Sequence, residues 1–154
     1  MVMWGGGGWT GWSRWAKCIV VLGALLLAGC GAGEGDNDDG GGGGGELQPT
    51  LQSIQANIFG PICAQPGCHV GANAQQGLML DTADNSFQDL VGIASTEIPS
   101  LLRVDPGNPD DSYLVQKIEG RSTIVGAQMP LNQPGLSAEQ IDAIRTWIAN
   151  GAVQ

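Results

Sequence analysis

The 154-residue chain has one histidine, six Lys and Arg residues, and no apolar run near the ~20 residues a bilayer-spanning helix requires. Each shortage excludes something. Six basic against fifteen acidic residues give a formal charge of −9, leaving no basic patch to neutralise a phosphate backbone, so nucleic acid is not an expected partner. Large side chains are also scarce. Beyond residue 46 the only aromatics are Phe59, Phe87, Tyr113 and Trp147, which leaves a small helical domain with a thin core. A buried cofactor would supply the missing apolar volume.

Glycine is abundant, with 26 residues, half of them in Gly5–Gly8 and between Gly31 and Gly45. Neither stretch can build a core, because glycine has no side chain to bury and much backbone freedom to lose. Length allows one domain.

Three segments follow along the chain. After Arg14 and Lys17, residues 19–29 form an apolar run of about eleven residues, too short to span a bilayer but suited to the hydrophobic part of an export signal. The run ends in Leu27-Ala28-Gly29-Cys30, which resembles the lipobox of bacterial lipoproteins. That likeness implies a signal peptide over 1–29, removed together with Cys18, and lipidation at Cys30. The alternative is an ordinary secretory signal with an incidental cysteine. Two or more acyl chains would attach the protein firmly to a membrane, each buried methylene contributing ~0.8 kcal/mol. Residues 30–46 then form a lipidated, Gly- and Asp-rich tether. Its sixteen residues after Cys30 have a typical reach of about 22 Å as a flexible coil. The folded domain is expected over 47–154, in the cell envelope and facing the periplasm or cell surface.

Within the domain the expected fold class is mostly α, small, with long loops. Thr50 caps a helix carrying Leu51, Ile54 and Ile58, with Gly60-Pro61 as its stop. A short helix is expected near 83–90, and a brief strand at 101–104. Asn108-Pro109 reads as a cap and first-turn proline leading into 112–119, with Gly120 as the end. The last helix is the clearest. Ser137 and Gln140 form a capping box, Leu136 and Ile141 a hydrophobic staple, and Asn150-Gly151 the stop. Its inner face carries Ile141, Ile144, Trp147 and Ile148.

The chemistry is concentrated in Cys63-Ala64-Gln65-Pro66-Gly67-Cys68-His69. Two cysteines can form thioethers to the vinyl groups of a haem, and a histidine directly after the second is thereby set under the iron. The usual spacing is C-x-x-C-H. Here the spacer is two residues longer, and Pro66-Gly67 can take up the extra length in a turn. Zinc is disfavoured, since two Cys and one His leave a structural site one ligand short. A Cys63–Cys68 disulfide is the competing reading, because an exported thiol pair tends to oxidise. With no second histidine, a low-spin haem needs another sixth ligand, and beyond the tether only Met79 and Met129 offer a thioether. Met129, in a loop and followed by Pro130, is the expected distal ligand from the opposite face. Met79, in an apolar run, is expected to pack in the core. Arg103 and Arg121 are candidate partners for haem propionates, with a solvated surface role the favoured expectation.

The order of a helix, C-x4-C-H, Met-Pro and a terminal helix resembles the class I cytochrome c family over about residues 50–152. The stretch 101–118 is similar to a cytochrome c-like domain of bacterial surface lipoproteins. That resemblance implies one covalent haem c held by Cys63 and Cys68, with His69 and Met129 as axial ligands to the iron. It implies a lipid-anchored electron carrier, not an enzyme. A His/Met pair leaves no substrate position on iron and favours a higher potential than two imidazoles. Partners would be envelope redox proteins, with a basic docking face to match the ten acidic and four basic residues from 47 onward. Two other functions stay open: a haem-based sensor or peroxidase-like enzyme with an open iron, and a haem-free, disulfide-bonded interaction domain.

Overall fold

The computed structural model describes residues 46–154. The signal segment, Cys30 and all but the last residue of the expected tether lie outside the described residues. Within them the protein is mostly helical, with four α-helices, long loops and no β-strand.

Helix α1 (Leu51–Ile54) begins where the Thr50 hydroxyl accepts the Ser53 N–H at 3.3 Å. It does not stop at Gly60-Pro61 as the sequence suggests. It runs on as a π-helical segment, Gln55–Cys63, with Pro61 inside it. The wider winding pairs an N–H with the carbonyl five residues back, as in Ala64 N–H to Phe59 O at 2.8 Å. Proline lacks the N–H for that ladder and forfeits a bond. Gly60 eases the winding, because a Cβ there would stand 3.0 Å from the Gln55 carbonyl oxygen, a contact that the backbone would have to relieve. The continuation carries the chain to Cys63.

Helix α2 (Ala83–Leu90) is capped by Thr82, whose hydroxyl accepts the Asn85 N–H at 3.1 Å. The expected strand at 101–104 is reduced to two isolated bridges, Val91 with Val104 in parallel sense and Ala94 with Leu102 in antiparallel sense. Opposite pairing senses two residues apart cannot share one hydrogen-bond ladder. Helix α3 (Tyr113–Glu119) has Ser112 as its N-cap, in place of Asn108. The proline instead sits in consecutive turns, Asp111 N–H to Asn108 O at 3.2 Å and Ser112 N–H to Pro109 O at 3.3 Å. Gly120 ends α3 at φ 69°, a left-handed conformation that glycine adopts without steric penalty.

Helix α4 (Ala138–Ala149) has both bonds of its capping box, Ser137 Oγ accepting from Gln140 N–H and Gln140 Oε1 accepting from Ser137 N–H. Leu136 and Ile141 pack against the core at its entrance. Ile144, Trp147 and Ile148 are buried and meet Leu51, Ile54 and Ile58 of the first helix in one cluster with Val115 and Ile118 of α3. Trp147 is buried without stranding its indole, because Nε1 donates to the Val153 carbonyl at 2.8 Å. Removing those apolar faces from water stabilises the arrangement at roughly 25 cal/mol per Å2. The loops that this frame holds in place carry Cys68, His69 and Met129.

Candidate functional site

Cys63 ends the π-helical segment, and Cys68 and His69 follow in a loop folded onto it. Cys68 N–H donates to Gln65 O at 2.9 Å, and Gly67 takes φ 82° in the turn between. Both thiols are free and half-buried. Burial, with the neighbouring Cys68 adding to it, pushes the Cys63 thiol up to about 12, so it is protonated at neutral pH.

His69 is half-buried, and its Nδ1 lies 3.2 Å from the Leu78 carbonyl. A carbonyl only accepts, so this contact assigns the ring proton to Nδ1 and leaves the Nε2 lone pair available for a metal. Desolvation holds the imidazole below its ordinary value. The carbonyls of Leu78 and Gln75 oppose that, and the positive charges of Arg103 and Lys117 add to it. The neutral ring is the form that ligates.

Cys63, Cys68, His69 and Met129 all line one cavity of about 430 Å3, within the ~300–1,000 Å3 typical of cofactor sites. Its walls are largely apolar and include Ile62, Leu78, Leu80, Leu90, Leu114 and Ile118. Met129 enters from the loop after α3, its N–H donating to the Lys117 carbonyl at 2.9 Å. The peptide between Met129 and Pro130 is cis.

Met79 does not line this cavity, and it is only half-buried and outside the core cluster. The expected core role is therefore corrected. Its backbone N–H is held by the Asp89 carboxylate at 2.8 Å, which fixes the main chain while Leu78 and Leu80 on either side reach the cavity.

The two arginines separate. Arg103 is 8% exposed and lines the cavity, so the expected solvated role does not hold for it. Its guanidinium donates to the Asp89 carbonyl at 2.8 Å and the Gln76 carbonyl at 2.6 Å, with no carboxylate partner among the described residues. Arg121 lies away from the cavity, bridged to Asp110 and Glu119 at 2.7 Å each. Arg145 of α4 joins the same two carboxylates, tying α3 and α4 across the Asp110 turn.

Three wall residues escaped the sequence reading. Glu97, Tyr113 and Lys117 line the cavity and bond to one another. Tyr113 and Lys117 stand four apart on one helix, a spacing that places them on one face. Apolar periodicity alone hid them, because it assigns a lysine to the solvent side.

Among the described residues, no group of three or more His, Cys, Asp or Glu side chains converges as a metal site. No helix among them is long and apolar enough to cross a membrane. Comparison with known proteins finds no matching family model and no significant match among curated proteins or solved structures.

Proposed function

We propose that the domain carries one haem c, attached through Cys63 and Cys68, and passes single electrons as a lipid-anchored protein of the bacterial cell envelope. The observation that carries this reading is the convergence of both cysteines, His69 and Met129 on one largely apolar cavity of about 430 Å3. The donor set fits the group. A porphyrin brings four nitrogens of its own, so the chain has to supply only axial donors and attachment points. His69 offers a neutral imidazole with its Nδ1 proton already engaged by Leu78, and Met129 offers a thioether.

The group, once bound, supplies a one-electron ferric–ferrous couple. The chain's contribution is to bind and to shield. Cys63 and Cys68 would hold the macrocycle covalently, so that it is not lost when the iron changes charge. The Leu78 carbonyl fixes the plane and tautomer of the His69 ring. Leu80, Leu90, Leu114 and Ile118 keep water from the interior, which limits reorganisation during transfer. Met129 and His69 would together hold the iron, and a thioether there would leave no position for substrate, which favours transfer over catalysis.

Charge supports a basic partner. All four cations of the described residues are engaged within the protein: Arg103 on carbonyls, Lys117 on Glu97, Arg121 and Arg145 on Asp110 and Glu119. Asp81, Asp84, Asp111, Glu139 and Asp142 are exposed and have no such partner among the described residues. Their field would draw a positively charged docking face and orient it on approach.

The test is extraction. Protein made in a host with haem-attachment machinery should stay red after denaturation and acid–acetone treatment, because thioethers survive both. Colour that leaves with the solvent, or never forms, removes the reading.

A further inference from the structure

We propose that Glu97, Tyr113 and Lys117 form a latch that positions Met129 in the cavity; this rests on the reading of Met129 as the distal ligand. Glu97 Oε2 accepts from the Tyr113 hydroxyl at 2.6 Å and from Lys117 Nζ at 3.1 Å. The same two side chains then seize one residue of the following loop from both its backbone groups. Val125 N–H donates to the Tyr113 oxygen at 3.1 Å, and Lys117 Nζ donates to the Val125 carbonyl at 2.8 Å. Four residues later Met129 N–H donates to the Lys117 carbonyl at 2.9 Å, and Gln128 Nε2 donates to the Ile118 carbonyl at 2.8 Å.

The loop therefore ends α3 in a particular register. The last carbonyls of a helix have no partner within it, and here the ligand's own amide and its neighbour's side chain satisfy two of them. Gly120 keeps the approach close: besides its left-handed φ, a Cβ there would meet the Gln128 side chain at 2.7 Å. Val125 and Met129 are thus clamped at both ends of a short span, and the thioether is carried on the second clamp.

Stability alone does not account for the latch. Lys117 is 8% exposed and its carboxylate partner sits in the cavity wall. The pair is buried at the lysine and half-buried at the glutamate, so its attraction is offset by the desolvation of Lys117, and apolar side chains of similar volume often serve as well. What charge and directed hydrogen bonds add is register. They accept one placement of Val125, and with it one placement of Met129.

The experiment uses full-length, haem-loaded protein and compares Tyr113→Phe, Lys117→Met and Glu97→Gln with Ile141→Val, a substitution at the core edge. Two signals are read: the weak near-red sulfur-to-iron charge-transfer band of the ferric form, and amide hydrogen exchange at Val125 and Met129. The latch variants should weaken the band and speed exchange at those two amides about ten-fold or more, while α4 amides hold their rates. Haem should remain covalently attached. Ile141→Val should speed exchange in α4 without touching the band. Unchanged exchange at Val125 and Met129, equal acceleration throughout the domain, or fast loop exchange with an undiminished band each overturn the proposal. If the wild type has no such band, the axial role of Met129 falls separately, and the exchange rates alone decide whether the latch holds the loop.

Discussion

The backbone N–H of His69 donates to the carbonyl of Cys63 at 3.3 Å. A five-residue interval in the chain is thereby folded back on itself, and the first thiol-bearing residue lies beside the histidine. The four-residue spacer is absorbed in the turn closed by Cys68 N–H on Gln65 O at 2.9 Å, with Gly67 at φ 82°. Cys63 and His69 thus remain neighbours despite the longer spacing.

This arrangement predicts that each thiol makes its own bond. Replacing either Cys63 or Cys68 by Ala should leave one thioether, visible as a shift in the pyridine haemochrome spectrum. Replacing both should let the haem extract. Full retention in the double variant would mean that neither cysteine carries the group.

A second expectation concerns the thiols before attachment. Cys63 is held up to about 12 by burial and by Cys68 beside it. Its raised value means that the fold favours the protonated thiol. That contribution is present below the ordinary thiol range of about 8.5 and is lost as pH rises through about 12. In haem-free protein, alkylation of Cys63 should therefore be slow at pH 7 and accelerate across that window, because the thiolate is the nucleophile. Mass mapping of iodoacetamide adducts at several pH values tests this, and rapid modification of Cys63 at pH 7 contradicts it.

Legibility in the sequence followed the range of the interaction concerned. The cap at Thr50, the capping box of Ser137 and Gln140, and the stop at Gly120 depend on residues a few positions apart, and they could be read directly. The run of α1 past Pro61 could not, because it needs the wider π winding that Gly60 eases. Asn108-Pro109 misled for a related reason: Ser112 ties the loop itself, accepting from Asp105 N–H at 2.9 Å, so the helix starts later. In the site, adjacency revealed Cys68 and His69, whereas Arg103 and Glu97 reach the cavity only through tertiary folding.

Gly120 should not tolerate a side chain. At φ 69° alanine costs about 1–2 kcal/mol, and its Cβ would press on the Gln128 side chain at 2.7 Å. Gly120→Ala should lower the unfolding midpoint and loosen the loop that ends in Met129. Calorimetry gives the first effect and carbon monoxide access to ferrous protein the second. A variant as stable and as closed as the wild type refutes the close approach.

The lipid anchor is tested through Cys30. Labelled fatty acid should enter the wild type and not Cys30→Ser, and the variant should leave the membrane fraction. Equal membrane retention, with no label in the wild type, removes the lipoprotein reading and leaves the proposal of a haem-binding domain untouched.

The two methionines of the domain separate carrier from sensor or enzyme. Met129 lines the cavity with His69, whereas Met79 lies outside its lining. Met129→Ala should therefore abolish the near-red sulfur-to-iron band, admit cyanide or carbon monoxide, and lower the potential. Haem should stay attached, since Cys63, Cys68 and His69 are unchanged. Met79→Ala should keep the band and cost about 1 kcal/mol, because the side chain is half-buried and outside the core cluster. Its N–H bond to Asp89 belongs to the backbone and survives the substitution. Should Met79→Ala remove the band while Met129→Ala keeps it, the axial assignment is reversed. Should the wild type bind carbon monoxide at once, the iron has an open position and electron transfer loses its main support.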